Sequence, residues 1–241
     1  MSLLEKLLNL FYPPICPICK KNISAIHTLC NSCWKYIKFI TDPLCKKCGK
    51  PIEQENFSEF ICDSSCYQKN HSYKMSRSAI LYNENFSYLI KEFKYHDKIQ
   101  ISKLLTNWLL LAGSNIINEC DIIVPVPLHK NKLKIRKYNQ AALLAAMLSK
   151  KSKKPYFAEL LIKVKDTKNQ SSLTKMQRMK NLKGAFYIKK GQLKNINEKT
   201  VLLIDDVITT GSTTNECSNI LLKNGAKKIL VLTIAKRLLY E

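Results

Sequence analysis

The chain lacks any hydrophobic run long enough to cross a membrane, which requires roughly 18–20 uninterrupted apolar residues. Its first residues, MSLLEKLLNLFYPP, place apolar side chains at helical spacing, but Glu5 and Lys6 interrupt them. This stretch also lacks a basic leading region and a small-residue cleavage site, so we do not interpret it as a signal peptide. We expect a cytoplasmic protein whose first residues form a short helix packed on the body, or a helix that docks a partner.

Acidic residues are scarce: 18 Asp and Glu stand against 40 Lys and Arg, which gives a formal net charge of +22 in 241 residues. This excess predicts a polyanionic partner, either nucleic acid or a polyphosphate ligand. A solvated lysine-rich surface would explain the excess equally simply. Internal repeats and low-complexity tracts are absent, and the length allows one large domain or one medium domain with a small module.

Cysteine, by contrast, is concentrated near the N-terminus, where eight of the ten cysteines form four close pairs. The pairs are Cys16–Cys19, Cys30–Cys33, Cys45–Cys48 and Cys62–Cys66. Two cysteines three apart on a tight turn direct both sulfurs at one ion, and two such turns complete a tetrahedral thiolate site for zinc. Gly49, directly after the third pair, favours such a turn. We therefore predict two structural Zn²⁺ sites, each with four cysteine ligands.

Two alternatives for the cysteines are less favoured. A disulfide framework needs an oxidising compartment, and an iron–sulfur cluster usually shows a different spacing. The spacing does not decide whether the pairs combine in sequence or interleave, and His27 could replace one ligand. Four thiolates leave no open coordination position, which excludes a zinc-dependent hydrolase and predicts a structural role. The isolated Cys120 and Cys217 are expected to be small buried hydrophobic residues.

After residue 75, apolar stretches of strand length alternate with stretches of helical spacing. Strands are predicted at 77–82, 120–128, 158–165, 200–205 and 228–236, and helices at 86–96, 101–116, 139–150 and 211–225. This alternation predicts an α/β fold with a Rossmann-like parallel sheet and helices on both faces. We expect two units: residues 1–75, with the N-terminal helix and the zinc module, and residues 76–241, the α/β domain.

Two adjacent acids follow an apolar strand in the stretch KTVLLIDDVITTGSTTN at 199–215. Ligands bind outside the carboxyl ends of parallel strands, so Asp205 and Asp206 should face a cleft. The hydroxyl-rich residues 209–213 then enter a helix whose first amides can bind a phosphate, and Gly211 permits a close approach. Carboxylates suit ribose hydroxyls or Mg²⁺, so the stretch predicts a sugar-phosphate site. An ordinary helix-capping turn would explain one threonine but not the whole run.

These motifs carry a resemblance to known proteins. VLLIDDVITTGSTT resembles the signature by which type I phosphoribosyltransferases bind phosphoribosyl pyrophosphate (PRPP). Nearly the whole chain resembles the ComF family, also called ComFC or amidophosphoribosyltransferase-like competence proteins, whose N-terminal region is a zinc finger. FKYHDK, IVPVPLHKNKLKIRKYNQA (123–141) and KDTKNQSSLTKMQRMKNLKGAF (165–186) are similar to blocks of that family. Lys137 and Tyr138 stand where the family usually shows Gly-Phe, and Lys163 or Lys165 where it commonly has arginine.

The resemblance implies the following roles in PRPP binding. Asp205 and Asp206 would be the catalytic pair, contacting the ribose 2′ and 3′ hydroxyls and Mg²⁺. The 5′-phosphate loop would comprise Val207, Thr209, Thr210, Gly211, Ser212 and Thr213. Pyrophosphate would meet Val126, Pro127 and Leu128, together with the cations Arg136 and Lys137.

Residues around this predicted site have two possible roles each. Asn139 and Gln140 would hydrogen-bond the ligand, or Asn139 would cap the following helix. Gln170, Arg178 and Asn181 would close over the ligand or bind a polyanion; alternatively, Gln170 and Asn181 would be surface turn residues.

The implied chemistry is displacement at C1′ of PRPP with pyrophosphate as the leaving group, and the acceptor is not identified by the sequence. Some proteins of this fold bind PRPP only as regulators. Because the family is implicated in natural competence, single-stranded DNA and proteins of the DNA-uptake machinery are implied partners. CWKYIKF (33–39) and FKYH (93–96) place aromatic residues beside basic ones, which would stack bases, although we favour packing for Trp34. The alternative function is a non-catalytic single-stranded DNA-binding competence factor that keeps the phosphoribosyltransferase fold.

Overall fold

The computed structural model describes residues 13–52, 66, 71–95, 101–167 and 181–238. The predicted N-terminal helix lies outside these residues, and so do Cys62, Gln170 and Arg178. In the part of the chain that is described, no helix has both the length and the apolar character that crossing a bilayer requires.

The elements follow the predicted alternation of strands and helices. The helices are α1 (Asn31–Trp34), α2 (Glu84–Tyr95), α3 (Ile101–Glu119), α4 (Lys130–Arg136), α5 (Gln140–Ser152) and α6 (Ser212–Lys223). The strands are β1 (Met75–Leu81), β2 (Ile122–Pro125), β3 (Leu161–Lys163), β4 (Phe186–Ile188), β5 (Thr200–Ile208) and β6 (Lys228–Lys236).

A four-stranded parallel sheet, in the order β1-β6-β5-β2, forms the centre of the molecule. In its register Leu202 of β5 lies opposite Leu230 of β6 on one side and Ile123 of β2 on the other. Strands of this kind are buried on both faces and are therefore continuous apolar runs in the sequence, as β5 is from Val201 to Ile204. The predicted parallel α/β fold is confirmed.

Helices cover both faces of the sheet. Alternate strand residues such as Leu202 and Leu232 point into a core with α2, α3 and α5. Their neighbours in the strands, such as Leu203 and Val231, point into a second core with α6 and the β3–β4 pair. This division follows from the alternation of side chains along a strand, and it places the carboxyl ends of β2 and β5 between the two helical layers.

Three elements differ from the sequence predictions. The strand predicted at 158–165 is shorter and does not join the main sheet, because β3 pairs only with β4 in a two-stranded antiparallel sheet. Strand β5 continues to Ile208, so the two acids lie within its last residues rather than after it. Helix α4 was not predicted, since its sequence KNKLKIR lacks an apolar face and none of its residues is buried.

The cysteine-rich segment packs directly on the sheet and on α3. The Ile40 amide donates to the Ala79 carbonyl at 2.9 Å, and the Ser76 amide donates to the Lys47 carbonyl at 2.8 Å. The Trp34 ring lies 5.7 Å from the Trp108 ring of α3, which confirms the preferred packing role of Trp34. The predicted domain boundary near residue 75 falls at the start of β1 and stays a prediction.

Candidate functional site

The two acids at the end of β5 are held in place by the backbone that follows them. Asp205 Oδ1 accepts the Asp206 amide at 2.8 Å, and Asp206 Oδ1 accepts the Val207 amide at 2.7 Å. Each carboxylate is therefore oriented through one oxygen, and no backbone amide of the described residues bonds its second oxygen. The strand changes from fully buried to partly exposed at Asp205, which places the acid pair at the edge of the cleft.

Three cations from three other elements surround the acid pair. Lys94, near the end of α2, places its Nζ 2.5 Å from Asp206 Oδ2. Arg136, at the end of α4, interacts electrostatically with Asp206, and Lys163 of β3 does so with Asp205. The Lys163 ammonium also lies 5.3 Å from the centre of the Phe186 ring. The cleft therefore contains two acids within a ring of positive charge.

The electrostatics of the site separate its two acids. Burial, followed by the adjacent charge of Asp206, raises the pKa of Asp205 to about 7. Burial also disfavours the charged form of Asp206, but the Lys94 charge and hydrogen bond outweigh it and lower the pKa of that carboxyl. Burial and the neighbouring Lys132 lower the pKa of Lys163 to about 8. The two neighbouring acids therefore differ: Asp205 holds its proton more strongly, and Asp206 holds its negative charge beside Lys94.

The raised pKa of Asp205 predicts a stability change with pH. Because the folded state holds a proton up to about pH 7 that the unfolded state loses near its ordinary value, stability falls as pH rises through this window. Asp205→Asn removes this titration and keeps the oxygen that accepts the Asp206 amide. As the pH rises from 5 to 8, the free energy of unfolding of the variant should increase by roughly 2 kcal/mol relative to that of wild type, measured by urea unfolding. An equal difference at both pH values would contradict the raised pKa.

The predicted phosphate loop joins β5 to α6 through a left-handed glycine. Gly211 has φ 75° and stands directly before α6, so a side chain there would be strained. The Thr210 and Ser212 hydroxyls lie 2.9 Å apart on this loop. The Asn215 amide donates to the Gly211 carbonyl, so the amides of the preceding first turn lie outside the helical ladder, as an anion site requires.

The loop after β2 is fixed next to this site by residues of α5. The Val126 amide continues the sheet pairing by donating to the Ile204 carbonyl at 2.8 Å, and the buried Pro127 follows. Asn139 caps α5 through the Ala141 amide, and its Nδ2 donates to the Val126 carbonyl at 3.0 Å. The capping alternative for Asn139 is therefore confirmed, and the same side chain holds the loop that carries Pro127 and Leu128.

Gln140 positions two of the cations rather than facing solvent. Its Nε2 donates to the Lys94 carbonyl at 3.3 Å, and its Oε1 accepts from Arg136 at 3.4 Å. The exposed Lys137 adopts a left-handed backbone with φ 63°, at the position where the resembling family usually shows glycine. The structure thus keeps the left-handed backbone here although the residue is lysine.

The first two cysteine pairs form one donor set. The sulfurs of Cys16, Cys19, Cys30 and Cys33 all lie within 4.8 Å of one another. A tetrahedral site with Zn–S bonds of about 2.3 Å places its sulfurs about 3.8 Å apart, so this set fits zinc. The 3.4 Å between Cys19 and Cys30 is far longer than a disulfide bond. The pairs therefore combine in sequence, and His27 is not part of the described set.

The third pair and Cys66 form a second donor set, also within 4.8 Å, and Cys62 lies outside the described residues. Cys45 and Cys66 have their sulfurs 3.9 Å apart. Gly49 has φ 66°, and a Cβ there would lie 2.5 Å from the Ser76 carbonyl oxygen, so only glycine permits this turn against β1. The buried thiols suit a structural ion rather than an open catalytic one.

Comparisons with known proteins agree with this arrangement. Residues 7–68 match the family model described as a double zinc ribbon domain, which supports two structural zinc sites. Competence protein F of Haemophilus influenzae is 33% identical over 92% of this chain and 96% of that protein. The chain belongs to the competence protein F family.

Other relatives of the chain carry related names. The DNA utilization protein YhgH of Escherichia coli K12 is 29% identical over 94% of this chain and 98% of that protein. Competence protein ComFC of Bacillus subtilis is 29% identical over 82% of this chain and 79% of that protein.

Solved structures show a weaker likeness to the chain. The allosteric regulatory enzyme of purine biosynthesis has a TM-score of 0.40 at 17% identity, covering 59% of this chain and 29% of that chain. Orotate phosphoribosyltransferase from Aeropyrum pernix has a TM-score of 0.34 at 16% identity, covering 66% and 80%.

Two cations of the site were not predicted as such from the sequence. Lys94 contacts Asp206 directly, whereas the sequence shows it only as part of an aromatic and basic stretch. Lys163 stands out in the sequence only as a substitute for arginine, although it approaches Asp205. No sequence signal placed Gln140 between two cations.

Proposed function

We propose that this protein binds PRPP together with Mg²⁺ at the carboxyl ends of β5 and β2, as a phosphoribosyltransferase-type member of its family. The observation that supports this most is the junction of β5 and α6. There two oriented acids are followed by a helix that begins after Gly211 and whose first-turn amides lie outside the helical ladder. A phosphate next to a diol is the chemistry that such a junction recognises.

Mg²⁺ suits the oxygens of this acid pair. The cation prefers carboxylate oxygens and keeps several waters, and Asp205 and Asp206 each present one oxygen that no backbone amide in the described residues uses. Lys94 contacts one of these oxygens, Oδ2 of Asp206, which supports a cation at this position, and Mg²⁺ would replace that contact. When bound, Mg²⁺ would neutralise charge on the pyrophosphate.

The chain's own residues would perform the remaining work of binding. Asp205 and Asp206 hold the ribose hydroxyls, and Thr210 and Ser212 donate to the 5′-phosphate. Lys94 and Arg136, positioned by Gln140, offset the pyrophosphate charge as that group leaves C1′. Because positioning and charge are sufficient for this displacement, no protein nucleophile is required. The acceptor, if the protein turns over, would enter from the side opposite the pyrophosphate.

Calorimetric titration of PRPP into the zinc-loaded protein tests this proposal. We expect one saturable site per chain whose affinity drops at least about tenfold when Mg²⁺ is omitted from the buffer, since the acids would then face the anionic ligand without a cation. Ribose 5-phosphate and pyrophosphate should each compete, because each fills one half of the site. Binding of pyrophosphate alone, without competition by ribose 5-phosphate, would refute the role of the β5–α6 loop.

A second function, binding of single-stranded DNA during DNA uptake, is favoured by a separate surface. Trp34, Tyr36 and Phe39 are 41%, 58% and 40% exposed beside Lys35 and Lys38. Exposed rings between cations are the usual platform for stacked bases and phosphates. The relatives named for competence and for DNA utilization support a role in this process, with proteins of the uptake machinery as further partners. The eight paired thiols of the chain suit the reducing cytoplasm.

The DNA proposal predicts a strong dependence on salt and on Tyr36. Affinity for an oligothymidine should fall linearly with salt on logarithmic axes. Tyr36→Ala should weaken binding about fivefold or more, because stacking on one ring is lost. Tyr187→Ala, which removes a ring that is 52% exposed on β4, is the matched control and should leave affinity unchanged. A flat salt response would refute this second function.

A further inference from the structure

A second basic site lies at the opposite end of the sheet. A cavity of about 840 Å³ opens between the turn of the third cysteine pair, the segment leading into β1 and the start of β6. Five lysines line it, and none of its described lining residues is acidic: Lys46, Lys47, Lys74, Lys227 and Lys228. Its volume falls within the roughly 300–1,000 Å³ that is usual for small-molecule sites.

The positive charge of this cavity is only partly balanced. Lys228 pairs with Glu119 outside the cavity. For Lys47, Lys74 and Lys227, the described part of the chain offers no carboxylate within ion-pair distance. Ammonium groups gathered around one cavity repel one another, so a multivalent anion is the ligand that relieves them.

One wall of the cavity is aromatic. The His71 and Tyr73 rings stack with centroids 4.7 Å apart at an angle of 20°, and both side chains line the cavity. Tyr73 is 2% exposed and packs in the second core, so its ring holds the stacked His71 ring in place. A flat ring beside several phosphate-binding cations is the combination that recognises a nucleotide.

The cavity is separate from the acid pair. Lys228 lies opposite Thr200 at the start of β5, whereas Asp205 lies opposite Thr233 towards its end. At about 3.3 Å per residue the two positions are roughly 16 Å apart along the strand. No residue of the β5–α6 loop lines the cavity.

We propose that this cavity binds a nucleotide, with its phosphates on the lysines and its base against the His71–Tyr73 pair. The volume of the cavity and its single stacked ring pair favour a small ligand over a nucleic-acid strand, which would need a continuing groove with further rings. The lining of the cavity shares no residue with the acid pair or its loop, although the Tyr73 hydroxyl lies 3.6 Å from where a Cβ on Gly211 would be, and the Ser72 amide donates to Asn215 of α6. The proposal does not rest on PRPP binding.

ATP titration in physiological salt, with matched variants, tests the inference. Lys74→Glu/Lys227→Glu should weaken ATP binding at least about tenfold, because two phosphate contacts become repulsive. Lys190→Glu/Lys194→Glu changes the net charge equally at exposed positions outside the cavity and should leave ATP binding unchanged. Thr210→Val/Ser212→Ala alters the β5–α6 loop and should also leave it unchanged. Unaltered thermal melting confirms that the lysine variants are folded.

The contribution of the base is tested separately with tripolyphosphate. His71→Ala should weaken the binding of ATP more than the binding of tripolyphosphate, because only ATP carries a base that can stack on His71. The inference is overturned if ATP does not bind, if both lysine pairs weaken it equally, or if the loop variant abolishes it. It is also overturned if Lys74→Glu/Lys227→Glu weakens the binding of an oligothymidine but not that of ATP, because this surface would then bind DNA.

Discussion

Replacing Asp205 and Asp206 together by asparagine is expected to weaken Mg²⁺-dependent PRPP binding at least about 100-fold, which corresponds to about 2.7 kcal/mol. Asparagine keeps the oxygens that accept the Asp206 and Val207 amides, so the loop retains its shape. What is lost is the negative charge that binds the cation and the acceptor strength towards the ribose hydroxyls. Calorimetry on the variant and the wild type measures the difference directly.

The sign of this effect separates a specific site from general attraction. The chain already carries a formal charge of +22, so neutralising two acids would strengthen any non-specific binding of an anion. Glu84→Gln/Glu198→Gln removes two negative charges from exposed positions away from the site and serves as the control. Equal affinity in the acid-pair variant and the wild type would refute the assignment of the acid pair.

Loss of the first zinc site is the second large expected effect. Cys16→Ser/Cys33→Ser should bind one zinc per chain in place of two and should lower the melting temperature by more than about 10 °C. The reason is that Cys16 and Cys33 are buried in the same core as α3 and β1, so the site is continuous with the sheet rather than attached to it. Metal analysis and calorimetric melting measure both quantities.

Tryptophan fluorescence adds a local readout of the zinc effect. Trp34 packs on Trp108 only while the first cysteine turn holds its shape, so zinc loss should shift the emission to longer wavelength. Cys120→Ser is the matched control, because its Sγ donates to the Ile117 carbonyl and a serine hydroxyl can do the same. That variant should keep two zinc ions. Unchanged melting after loss of the first ion would contradict a structural role.

Much of the fold could be predicted because burial leaves a direct record in the sequence. The run from Val201 to Ile204 has no polar residue since both faces of β5 are covered, and this pattern predicts a parallel sheet. The thiol pairs were equally clear, because closely spaced cysteine pairs are typical of zinc sites. The order in which the pairs combine depended on how the chain folds back, and only the structure shows it.

The partners of the acid pair could not be predicted in the same way. Lys94, Arg136 and Lys163 lie on three elements that are distant in the sequence, and only the packing of α2, α4 and β3 around β5 brings them together. Periodicity also could not show that β3 leaves the main sheet, because a strand as short as LIK fits either position. The lysine-lined cavity has the same origin, since it joins three separate segments.

Hydrogen exchange of backbone amides, with and without saturating PRPP and Mg²⁺, is the most direct test of the central claim. That claim places the 5′-phosphate on the loop between β5 and α6. We predict slower exchange across residues 209–214, with the turn at 46–47, which lines the lysine-lined cavity, unchanged. Protection centred on the lysine-lined cavity, or none in residues 209–214 at saturation, would contradict the account.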